Sequence, residues 1–121
     1  IILDKRAVER SYGDAEGLTI PEREAIWPGG NWPGLEDWEN VARRGMEMID
    51  DLAREYAGER IIVVAHGGLI NAILATISRG EVGTGKTVLL NTSRTDLFHD
   101  DHAWTIGAVG DVSHLEDSVT A

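Results

Sequence analysis

The sequence contains no cysteine. Disulfides, thiolate nucleophiles and cysteine-held metals are thereby excluded. It has only three prolines, all between positions 21 and 33, so the rest of the chain is free of the residue that most often breaks helices and inner strands. Basic residues are scarce. Eleven Lys and Arg stand against 21 Asp and Glu, a formal net charge of −10. Nucleic acids and anionic membranes are poor partners for such a chain, because binding them relies on Lys and Arg. Any phosphate site must be locally positive against that field. No apolar run approaches the roughly 20 residues that cross a bilayer. The opening Ile1-Ile2-Leu3-Asp4-Lys5-Arg6 is too short and too charged for a signal peptide. A soluble, cytoplasmic protein is the expectation. No cofactor and no metal are expected: His99-Asp100-Asp101-His102 offers four donors, but its spacing fits no dedicated metal site and reads as a turn.

What is present suits one folded domain. The 121 residues are 42% hydrophobic and 26% charged, enough for one core and too few for two. The sequence opens on Ile1 rather than Met, directly on strand-like residues. The expectation is that it forms the C-terminal part of something longer.

The centre of the chain is Arg60-Ile61-Ile62-Val63-Val64-Ala65-His66-Gly67-Gly68, followed by an apolar run of helix length. Five apolar residues in a row, mostly β-branched, predict a strand buried on both faces. The strand ends in His66, and two glycines turn the backbone into a helix. This order places an imidazole at the carboxyl edge of a parallel sheet, where open α/β sheets bind ligands. The N–H groups at the helix start favour an anion. A histidine satisfied by a backbone carbonyl at a strand end is the other reading of the same residues.

The rest of the chain falls around this unit. Residues 1–8 give a strand end and a loop, and residues 8–19 a polar loop. Residues 18–34 hold all three prolines and read as an irregular insertion with one helical turn near Pro21. Trp27 and Trp32 in it suit a lid over a site or an anchor to the domain body. Residues 35–56 are the clearest helix, with Leu35, Trp38, Val41, Met46, Ile49, Leu52 and Tyr56 at three- and four-residue steps. Residues 69–78 form the helix after the central strand. Further strands are expected at 86–92, 95–99 and 103–109, and residues 116–121 form a polar tail. Gly80-Glu81-Val82-Gly83-Thr84-Gly85-Lys86-Thr87 matches the nucleotide-binding P-loop pattern. That loop requires a strand before it and a helix after it; here the order is reversed, and a Gly-rich turn is the better reading. Magnesium-dependent nucleotide binding remains the third function considered.

Three stretches resemble, in order, the motifs of the histidine phosphatase superfamily, the phosphoglycerate-mutase-like group: Glu9-Arg10-Ser11-Tyr12-Gly13-Asp14-Ala15-Glu16-Gly17, Val64-Ala65-His66-Gly67-Gly68, and Gly110-Asp111-Val112-Ser113-His114-Leu115. Pro33-Gly34-Leu35-Glu36 and Arg44 resemble the family's approach to its long helix. The resemblance implies a three-layer α/β/α sandwich with a mostly parallel sheet, here only partial. It also implies phosphoryl transfer through a phosphohistidine. By position, Glu9 is the implied proton donor and His66 the second histidine. Gly67 offers a backbone N–H, and Arg10 and Tyr12 line the substrate side. The family's Arg-His-Gly motif with its nucleophilic histidine does not occur in the 121 residues. The chain therefore reads as the second half of a phosphomonoester hydrolase or phosphoryl transferase acting on a phosphorylated small molecule. It is expected to be inactive alone, with an open sheet edge that favours oligomers or association with the missing half. The non-enzyme alternative is a truncated relative that binds a phosphorylated ligand or a partner chain.

Overall fold

A computed structural model describes residues 1–115. Helix α1 spans Ile20–Ile26, α2 Trp38–Glu55 and α3 Gly67–Ser78, and strands β1 (Leu97–His99) and β2 (Trp104–Ile106) form a hairpin. The expected polar tail, 116–121, lies outside the described residues.

Helix α2 begins at Asp37, whose carboxylate accepts the Asn40 N–H at 2.7 Å, an N-cap that satisfies one orphan donor of the first turn. Its apolar stripe places Val41, Gly45, Met48 and Ile49 inward. Helix α3 is apolar nearly all round and buries Leu69, Ala72, Ile73 and Leu74. The two helices pack on each other to form the core, and burying each large aliphatic side chain there contributes about 1.5–3 kcal/mol. They meet at Gly45, where a Cβ would stand 2.8 Å from Ile73 Cγ1. The β1–β2 hairpin pairs Phe98 with Thr105 and His99 with Trp104. Its turn is closed by Asp100, whose carboxylate accepts the N–H groups of His102 and Ala103; those bonds hold the carboxyl below its usual range. The Trp104 indole N–H donates to Asp50 on α2 and pins the hairpin there.

The expected mostly parallel sheet is not what is observed. Among the described residues the only sheet is the two-stranded antiparallel hairpin. The central run 60–65 enters no ladder. Its exposure alternates, 40% at Ile61, 88% at Ile62, 43% at Val63 and 86% at Val64. Period-two alternation is the signature of extended backbone with one face toward the protein body. It is not burial on both faces. The apolar sequence specifies an extended chain, but a ladder also needs a neighbouring strand, and none pairs with it among the described residues. Residues 86–92 likewise enter no ladder. Ile1, Ile2, Leu3, Val88 and Leu90 are exposed as well. The insertion expected to be irregular contains helix α1, with Thr19 accepting the Glu22 N–H as N-cap and Pro21 in the first turn. Gly80–Thr87 is a turn that follows a helix: Thr84 N–H donates to the Asn71 carbonyl, and Lys86 and Thr87 N–H donate to that of Gly83.

Candidate active site

The residues singled out from the sequence converge on the N-terminus of α3. His66 is its N-cap residue and stands exposed. Among the described residues its ring makes no hydrogen bond, so the reading of a histidine satisfied by a backbone carbonyl has no partner to name. The Glu9 carboxylate lies across the first turn of the same helix. Its Oε2 accepts the Gly68 N–H at 3.0 Å and its Oε1 accepts the Leu69 N–H at 3.0 Å. The Arg10 N–H donates to Oε1 at 2.9 Å. Fifty-nine residues separate Glu9 from Gly68 in sequence, and the positive end of the helix dipole with its unpaired N–H groups is what draws the carboxylate there. The Gly67 N–H has no partner among the described residues.

Glycine at 68 is a steric requirement. A Cβ there would stand 2.5 Å from Glu9 Oε1. Gly68→Ala is expected to drive the carboxylate off the helix start while α3 keeps its core face. The variant should melt within a few degrees of the parent but lose activity about as fully as a Glu9 variant. A normal turnover rate would show that Glu9 need not sit at this place.

The Glu9 segment is held by a network rather than by a sheet. Arg44 of α2 donates Nη1 to the carbonyls of Arg6 (2.8 Å) and Val8 (2.6 Å) and Nη2 to that of Glu9 (3.2 Å). It also grips the Glu36 carboxylate with Nε at 2.9 Å and Nη2 at 3.0 Å. The pair is well shielded, each side chain 12% exposed. Glu36 accepts further bonds from the Ser11 N–H and the Asn40 amide, and with the Arg44 guanidinium as the largest cause its carboxyl is lowered to about 2. The sequence singled out Arg44 only through the family resemblance, and Glu36 through that resemblance and as an acid expected in the first turn of the long helix. No local pattern announces a side chain that ties carbonyls 35 to 38 positions away.

Arg10 and Tyr12 sit beside Glu9. The Arg10 Nε donates to the Glu36 carbonyl at 2.7 Å, and its guanidinium lies 4.0 Å from the centroid of the Trp38 ring and 5.9 Å from that of Tyr12. The Trp32 indole N–H donates to the Tyr12 carbonyl at 2.6 Å, and Trp27, Trp32 and Tyr12 lie ring on ring. The backbone crosses itself here. Gly13, at φ +52°, approaches Gly34 so closely that a Cβ would stand 2.3 Å from its carbonyl carbon. In the third motif His114 Nε2 is 2.8 Å from the Thr92 carbonyl, and Arg94 pairs with Asp111.

An imidazole, a carboxyl group and the open Gly67 N–H at one helix start are equipment for handling an anionic group, and the fold and site together define an α/β protein of that class. Residues 1–112 match the histidine phosphatase superfamily (branch 1), and the chain belongs to that family. It is 33% identical over 107 residues to the uncharacterized phosphatase PhoE of Bacillus subtilis (strain 168), covering 88% of this chain and 55% of that protein. It is 39% identical over 82 residues to the metal-independent phosphoserine phosphatase of Arabidopsis thaliana, covering 68% of this chain and 33% of that one. The solved structure of Bacillus stearothermophilus YhfR superposes with a TM-score of 0.82 at 24% identity, over 93% of this chain and 62% of that chain; at that identity the likeness speaks for the fold. The chain thus spans about half the length, or less, of these curated relatives. No described helix is long and apolar enough to cross a membrane.

Proposed function

We propose that this chain supplies the acid and phosphate-holding side of a histidine phosphatase site that hydrolyses a phosphomonoester through a phosphohistidine. The observation that carries the reading is the Glu9 carboxylate seated on the α3 N-terminus next to His66. The nucleophilic histidine, in an Arg-His-Gly segment, is not among the 121 residues. In the first step the phosphoryl group passes from the ester oxygen to that histidine, and Glu9 gives a proton to the leaving alkoxide. His66, Arg10 and the Gly67 N–H hold the charge on the transferring group. In the second step the Glu9 carboxylate takes a proton from water as it attacks phosphorus. Phosphate leaves and the histidine is restored.

The exposed apolar residues at 1–3 and 61–64, with Val88 and Leu90, support a second part of the reading. The site is completed when further strand-forming chain, from the same protein or a partner, pairs with them. An intact-mass measurement on the protein expressed from its own full reading frame, with a phosphomonoester assay and alkaline-quench labelling (with an acid-treated control) on the same sample, tests both parts. The expected result is turnover with an acid-labile, base-stable phosphoenzyme. A 13.2 kDa species that melts cooperatively as a monomer and turns nothing over supports the binding-only alternative. Magnesium-dependent ATP affinity lost in Lys86→Ala would replace both with nucleotide binding.

A further inference from the structure

Resting on the phosphatase reading, we propose that Arg23 of helix α1 is a specificity-determining residue that recognises a second anionic group on the substrate, remote from the phosphate that is cleaved. Four arginines are half-buried: Arg6, Arg10, Arg23 and Arg44. Arg6 is paired with Asp4 and Asp51, and Arg44 with Glu36. Among the described residues neither the Arg10 nor the Arg23 guanidinium pairs with a carboxylate, in a chain of net charge −10. Arg10 spends one N–H on the Glu36 carbonyl. The Arg23 guanidinium has no hydrogen-bond partner at all among the described residues, yet it is not waving in solvent. It lies 5.6 Å from the centroid of the Tyr12 ring and 5.4 Å from that of Trp32.

A guanidinium carries five donors in a fixed fork suited to carboxylate and phosphate. Packing on aromatic rings fixes its plane and lowers the entropy lost when it binds, but satisfies none of those donors. Arg10 and Arg23 share one ring, since both guanidinium groups lie within 6 Å of the Tyr12 centroid. Arg10 is joined through its own backbone N–H to the Glu9 carboxylate. The order running outward from the reacting end is therefore Glu9, Arg10, Tyr12, Arg23. The two cations share the Tyr12 ring and keep N–H donors to spare. A simple alkyl phosphate has nothing to offer the outer one. A phosphomonoester bearing a carboxylate or a second phosphate does.

The test uses a matched pair, 3-phosphoglycerate and glycerol 3-phosphate, which differ in a carboxylate against a hydroxymethyl group. It compares the parent protein from its full reading frame with Arg23→Gln. The parent is expected to favour the carboxylate compound in kcat/KM by about tenfold or more, and Arg23→Gln to reduce that preference by about tenfold, mainly through KM. Loss of packing alone would lower both rates together and leave their ratio unchanged, which overturns the proposal. A parent that shows no preference within the pair overturns it as well. A parent that hydrolyses neither compound nor any other phosphomonoester overturns the phosphatase reading beneath it, so the two failures are told apart.

Discussion

Replacing His66 with Ala is expected to lower kcat/KM for phosphomonoester hydrolysis by about 10²–10³, the usual cost of removing a donor aimed at developing charge. Thermal stability should change by less than about 0.5 kcal/mol, because the ring is exposed at the end of a helix. Glu9→Gln completes the test. Loss of a general acid costs about 10²–10⁴ where the leaving group is a poor one. The amide keeps an oxygen for the Gly68 or Leu69 N–H but has no proton to give as an acid. Against an alkyl phosphate the full loss is expected. Against p-nitrophenyl phosphate, whose leaving group is stable as an anion, the loss should be far smaller. Equal losses on both substrates would place Glu9 in binding rather than in proton transfer.

Arg44→Met should be the most destabilising single change at the site, by about 3–5 kcal/mol. It leaves the shielded Glu36 carboxylate without its cation and the Arg6, Val8 and Glu9 carbonyls without their donor. Set against a total stability of about 5–15 kcal/mol for a domain, that shift is readily measured by urea titration. A midpoint that hardly moves would mean that water replaces the guanidinium without cost. The same pair governs the acid limb. Folding lowers the Glu36 carboxyl from 4.5 to about 2. Its contribution is therefore complete above pH 4.5 and fades as pH falls from there toward 2. Glu36→Gln should flatten the loss of stability across that window and leave the pH dependence above it unchanged.

The two long helices were legible because their apolar residues recur at helical steps, and burying them against each other is a local affair of residues 41–49 and 69–74. His66 and the glycines after it were legible for a related reason, since a Gly-Gly turn between two apolar runs has few conformations open to it. The parallel sheet was not observed, although residues 61–64 are as strand-like as any sequence can be. Strand propensity is a property of the segment, whereas a ladder is a property of a pair. Helix α1 carried its signal in Thr19, Pro21 and Glu22, a cap, a first-turn proline and an acid three residues on; one helical turn was legible there, and the prolines and glycines after it hid the second turn. Arg44 and Arg23 lay beyond local reading altogether. One acts on carbonyls, which every residue possesses, and the other on rings brought near it by the crossing of Gly13 over Gly34.

That Arg44 holds carbonyl oxygens has a further consequence for how this part of the chain can drift. A guanidinium bonded to main-chain oxygen is blind to the side chain attached. Positions such as Val8, which is exposed, can exchange one residue for another without moving the acid beside them. Glu9, Arg44 and Glu36 cannot. Related proteins can therefore differ freely along the segment that carries the acid and still deliver it to the same point.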